Sequence, residues 1–104
     1  MTLNVRRIVT THTAKGKAIV GTDEVTSNIQ QLRSGNYETL LWVTEESPAD
    51  VNGEDLTATP RDIEPPANGS IFRMLELVPG KEAYMHQTDT IDYAICISGK
   101  CEMQ

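Results

Sequence analysis

Pro79–Gly99 reads PGKEAYMHQTDTIDYAICISG, and its last third decides the fold class. From Thr90 to Ile97 the residues alternate in character. Ile91, Tyr93, Ile95 and Ile97 form one set; Thr90, Asp92, Ala94 and Cys96 form the other. Period-two alternation with β-branched and aromatic members predicts a strand. The apolar set needs a second layer to cover it. Upstream, His86 and Thr88 also alternate, so they can share one face of a preceding strand. Gln87-Thr88-Asp89 is polar enough to turn the chain between the two strands. The expected product is a hairpin that brings an imidazole, a hydroxyl and the Asp92 carboxylate to one surface. Imidazole and carboxylate are ligands for divalent metals and also work as an acid/base pair.

The spacing from Gly80 through His86, Thr88 and Asp92 to Gly99 is G-x5-H-x-T-x3-D-x6-G. It resembles the first conserved motif of the cupin family, G-x5-H-x-H-x3-4-E-x6-G. Both glycines and the first histidine match. Thr88 stands at the second histidine's position and Asp92 at the glutamate's. The preceding PPANGSIFRMLELVPG and the H-x-T followed by I-D-Y are similar to small single-domain cupins found near biosynthetic enzymes. The motif covers about a fifth of the chain. The resemblance implies an all-β fold, a cupin-like antiparallel β-barrel or jelly roll. It also implies a metal site in the lumen, here reduced to His86 and Asp92, with Zn, Fe, Mn or Ni as candidate ions. The family's second motif is absent. Only Lys100–Gln104 follow Gly99, about 17 Å of strand at ~3.4 Å per residue. The barrel is therefore expected to be incomplete at its C-terminal side, with an open edge. N-terminal strands could fill the gap, or a second copy of the chain could pair with it, giving a homodimer. A third alternative is that the sequence is a fragment of a longer protein.

Bulk properties narrow the function classes. With 104 residues, one domain spanning 1–104 is expected. The formal net charge of −6 opposes binding to phosphate backbones, so nucleic acid is not an expected partner. It equally disfavours anionic membrane surfaces. No apolar run reaches the roughly 18–20 residues of a membrane span. The N-terminal MTLNVRRIVTTHT lacks the apolar core of a secretory signal, which points to the cytoplasm. There Cys96 and Cys101 are expected as reduced thiols, with Cys96 a small core residue.

Taken in order, residues 1–22 outline a hairpin: Val5–Thr10 and Lys17–Gly21 flank a turn-like stretch that includes His12. Arg6 and Arg7 read as surface or interface groups. A short helical turn is expected around Ser27–Leu32, capped by Ser27. Residues 38–44, ETLLWVT, predict a strand, with Trp42 in the core or forming the floor of a ligand site. Residues 45–70 hold four of the five prolines, two Asn-Gly pairs and a high density of acids. They predict a long loop: a lid, a belt packed on the sheets, or a solvated segment. Residues 71–77, IFRMLEL, predict a strand buried on both faces, and residues 71–104 form the half that carries the motif. Arg73 would anchor an anionic ligand if it faced a lumen, and would pair with an acid if it faced outward.

A metal site takes at least three good protein ligands; this chain offers His86 and Asp92, and His12, Glu82 or a residue from another chain would have to complete the set. Without metal, the same pair is a general acid and base for dehydratase, isomerase or cyclase chemistry on a carbonyl compound. The candidate site is thus His86 and Asp92 for catalysis, with Thr88, Arg73, Trp42 and Tyr84 for a small organic ligand. The alternatives are a non-catalytic ligand-binding or regulatory module, and an inactive truncated cupin.

Overall fold

The computed structural model describes residues 3–82 and 85–104. Every regular element in them is a strand: β1 (Arg6–His12), β2 (Ala18–Val25), β3 (Gln30–Gln31), β4 (Tyr37–Thr44) and β5 (Ser70–Glu76). The fold is all-β and antiparallel, a cupin-like arrangement whose barrel is not closed. No helix among the described residues is long and apolar enough to cross a membrane.

β1 and β2 form the expected N-terminal hairpin, with pairing that runs on to Arg6↔Val25. Its turn closes through Thr13 and Lys17, and Gly16 takes a positive φ of 81° there. The register slips between Val9 and Thr10, so Gly21 has no partner across the ladder. A Cβ at Gly21 would meet Thr11 Cγ2 at 2.7 Å, which is why the bulge carries glycine.

β3, β4 and β5 make the second sheet, with β4 in the middle. ETLLWVT forms its strand as its residue types predict, and it supplies the two buried hydrophobic side chains among the described residues, Leu40 and Val43. Leu41 is skipped in the β4–β5 register, where Leu40 faces Arg73 and Trp42 faces Phe72. The other buried side chains are polar: Arg7, Thr26, Glu38, Thr39 and Thr57.

Four expectations need correction. The helical turn around Ser27–Leu32 is replaced by an extended segment in which Gln30 pairs with Glu38 and Gln31 with Tyr37. Ladder bonds to a central strand outweigh a marginal single helical turn. The strand at 71–77 is present as β5 but is not covered on both faces: Phe72 and Leu75 are exposed. The strand expected at Thr90–Ile97 is absent, and no described residue after β5 lies in a strand. Ile91, Tyr93, Ile95 and Ile97 are 73–93% exposed. Alternation supplies one half of a ladder, and here no edge supplies the other. Cys96 is accordingly exposed rather than in a core, and both cysteines are free thiols.

Candidate functional site

The structure builds its densest polar cluster where the two sheets meet the 45–69 loop. Arg7 begins it. Its guanidinium is nearly buried and donates to Asp55 Oδ2 at 2.6 Å, to Glu24 Oε1 at 2.9 Å and to the Leu41 carbonyl at 3.1 Å. The last bond joins β1 to β4 at the residue skipped by the β4–β5 register. The hydrogen bond that Arg7 donates to Asp55 raises the Arg7 pKa most, against its partial burial, with Glu24 adding to the rise. Burial pushes the Asp55 carboxyl up, but the bonds from Arg7 and from the Thr57 hydroxyl and amide outweigh it. The net effect holds Asp55 below the usual carboxylate range.

Asn28 is the second anchor. Its amide donates to the Thr57 carbonyl at 2.8 Å and to the Leu40 carbonyl at 3.4 Å, and its oxygen accepts from the Thr39 hydroxyl at 2.6 Å. The loop is therefore a strap: Asp55 and Thr57 fasten it to β1 and to the segment before β3. Further along, Arg61 pairs with Glu45, and the Asp62 carbonyl accepts from Arg73. Asp55, Thr57 and Arg61 tie the segment down at three points, while most of its residues, 45–54 among them, are exposed.

Two clefts lie along the strap and share Asn28, Thr57 and Ala58. One, of about 310 Å³, also includes Arg7, Glu24 and Asp55 in its lining. The other, of about 280 Å³, is more apolar and includes Ile29, Leu40, Pro60 and Glu38. Glu38 is 1% exposed, and its Oε2 accepts from Arg73 at 3.0 Å.

The residues singled out from the sequence lie elsewhere. His86 and Asp92 are both exposed. Thr88 and Asp92 are linked through Thr90: the two threonine hydroxyls are 2.7 Å apart, and Thr90 donates to Asp92 at 3.1 Å. Trp42 is half-buried on β4 opposite Phe72. Arg73 is held by Glu38 and the Asp62 carbonyl, the acid-paired arrangement. Tyr84 lies outside the described residues. None of the others lines either cleft. Among the described residues, no three His, Cys, Asp or Glu side chains gather in a way that could hold a metal ion. Two good donors and a neutral hydroxyl do not fit a resident metal. Arg7, Asp55 and Asn28 carry no motif, and only their polarity beside apolar strands marked them.

Comparison with known proteins bears on this open, strapped half-barrel. No family model matches the chain. The cupin-domain-containing oxidoreductase virC of Hypocrea virens is 30% identical over 106 residues, covering 93% of this chain and 52% of the relative. The chain belongs to the cupin family. The cupin-domain-containing oxidoreductase srdD of Neurospora crassa is 39% identical over 67 residues, 62% of this chain and 34% of that protein. Phomopsin biosynthesis cluster protein C' of Diaporthe leptostromiformis is 30% identical over 105 residues, 93% of this chain and 55% of its own length. This cupin chain thus spans about half the length of the relatives that it matches nearly end to end.

Proposed function

We propose that this cupin chain binds a small organic molecule in a biosynthetic pathway and moves a proton on it with His86 and Asp92. What supports the metabolic role is the similarity along 93% of the chain to a phomopsin biosynthesis cluster protein and to virC. What supports proton transfer is the residue set: an imidazole, and a carboxylate oriented through the Thr88–Thr90 hydroxyl pair. On a carbonyl substrate, one group removes a proton from the carbon next to the carbonyl and the other protonates the oxygen, which is the step shared by isomerases and dehydratases. Thr88, Arg73, Trp42 and Tyr84 are the proposed ligand contacts.

The site assembles when the Thr90–Ile97 segment enters a sheet, and a second copy of the chain offers it an edge. Exposed apolar side chains favour this pairing: Ile91, Tyr93, Ile95 and Ile97 after β5, and Ile8, Val20 and Val25 on one face of the β1–β2 hairpin. A closed two-fold dimer buries both.

The test is deuterium exchange into 1,3-dicarbonyl and hydroxyketone probes in D2O, followed by proton NMR. The wild-type chain should accelerate exchange, and His86→Ala and Asp92→Asn should each lower it by about 10²-fold or more. Equal rates for all three would end the proton-transfer reading. A redox reaction is the second reading, favoured by the names of virC and srdD. It requires an added electron donor or acceptor before any substrate is consumed.

A further inference from the structure

Glu38 is the least expected side chain in the molecule. It sits in the central strand β4, is almost completely buried, and has one oxygen engaged by Arg73. Its other oxygen, Oε1, has no hydrogen-bond partner among the described residues and no access to bulk water. Leaving such an acceptor unmet costs about 1–3 kcal/mol or more, and a native structure that tolerates it usually has a missing partner. Glu38 also lines the cleft of about 280 Å³ between β4 and the strap. That volume is near the small end of known ligand sites and far above the ~30 Å³ of one water.

The walls specify the missing partner. Ile29, Leu40 and Pro60 give the cleft an apolar lining. Asn28 is fixed by three bonds to β4 and the strap, so it is a rigid wall rather than a free binding group. Arg73 already balances the charge of Glu38, and a second cation would lose its hydration against apolar walls for little return. We propose that this cleft binds a small neutral molecule with an apolar body and a single O–H or N–H donor, directed at Glu38 Oε1. Phenols and compact alcohols are the ligand class. Reaching the oxygen parts the Ala58–Pro60 edge of the strap from β4, so binding loosens the strap locally. The site touches the proposed ligand contacts of His86 and Asp92 only through Arg73 and does not depend on their chemistry.

The experiment titrates the purified chain with phenol, with anisole (the same body without the donor) and with benzylammonium, by ligand-observed NMR. Phenol should bind at least tenfold more tightly than anisole, as expected for a donor meeting a charged acceptor. Glu38→Gln keeps its amide oxygen on Arg73 and turns an N–H toward the cleft, so it should erase the preference for phenol. Because Glu38→Gln could also weaken the fold, Ala58→Phe provides a second arm: it fills the cleft from the strap and leaves Glu38 itself unsubstituted. It should abolish phenol binding while thermal unfolding stays near wild type. Equal binding of phenol and anisole, no binding of either, or phenol binding unchanged in Ala58→Phe would each overturn the site. Tighter binding of benzylammonium than of phenol would overturn the assignment of a neutral ligand.

Discussion

At the scale of single residues, the molecule is organised by polar side chains in positions where apolar ones are the rule. Arg7 is the clearest. It is a charged residue on a hairpin strand, and its burial comes from Asp55, 48 positions away, and from a carbonyl of the other sheet. No local pattern in the sequence carries that information, since the partner lies in a loop whose acids all look alike. Arg73 was legible to the extent of two options, and in the structure it donates to the buried Glu38 carboxylate. The Asp55 contribution has a definite pH dependence. Its folded pKa lies below the unfolded value of about 3.9, so the stabilisation is complete above that pH and is lost as pH falls through the folded value. Asp55→Asn should therefore be less stable than wild type at pH 7, with the difference shrinking below about pH 4 in urea titrations. Asp55 is about one-third exposed, so solvent screening keeps the difference modest, on the order of 1 kcal/mol. A gap that stays constant down to pH 2 would show that the carboxylate's charge is not what holds the strap.

At the scale of elements, residue type and alternation located β1, β2, β4 and β5 because each has a neighbour to pair with. The same rule failed at Thr90–Ile97, where the alternation is the cleanest in the chain. A period of two states which face each side chain takes; it does not state that a second strand is within reach. The segment before β3 failed in the opposite sense. Ser27 looked like a helix cap, but Asn28 next to it bonds β4 and the strap, and this fixes the backbone as extended. The Asn-Gly pair at the end of the strap has a strict steric role. Gly69 turns the chain into β5 through its bond to the Pro66 carbonyl, and its Cα packs against the Thr44 carbonyl so closely that a Cβ would overlap it. Gly69→Ala should cost about 1–3 kcal/mol, through displacement of backbone rather than of a flexible side chain. Thermal melts compared with those of Gly80→Ala set the two causes side by side: Gly80 has a positive φ and nothing within 4 Å of the added carbon, whereas Gly69 has the backbone contact without a positive φ.

At the scale of the whole molecule, the radius of gyration is 15.5 Å, against about 13 Å for a compact chain of this length. The long dimension is 51 Å. Among the described residues only two hydrophobic side chains are buried, while large apolar side chains on the β1–β2 sheet and after β5 remain open to solvent. An all-β fold was legible from strand patterns and a motif, and so was its failure to close. What the sequence could not specify is the surface that covers Ile91, Tyr93, Ile95 and Ile97, because covering is a relation between segments. If a second copy covers them, as proposed above, sedimentation velocity should show a dimer whose population rises with concentration. Ile95→Lys should shift it to monomer, since a buried unpaired ammonium is strongly unfavourable. A wild-type chain that stays monomeric at high micromolar concentration would remove the second copy as the covering partner.

The strap has one more consequence. Its stretch Asp50–Gly53 is exposed and, among the described residues, is tied to itself through the Asp50 contacts with Asn52 and Gly53. On the near side of it lies β4; on the far side lie Asp55, Thr57 and β5, all attached to that same strand or to β1. A protease that nicks the backbone there would leave two pieces still clasped by a seven-pair ladder. They should migrate together on a native gel and part only in denaturant, so that the continuity of the polypeptide at this one spot is dispensable to its shape.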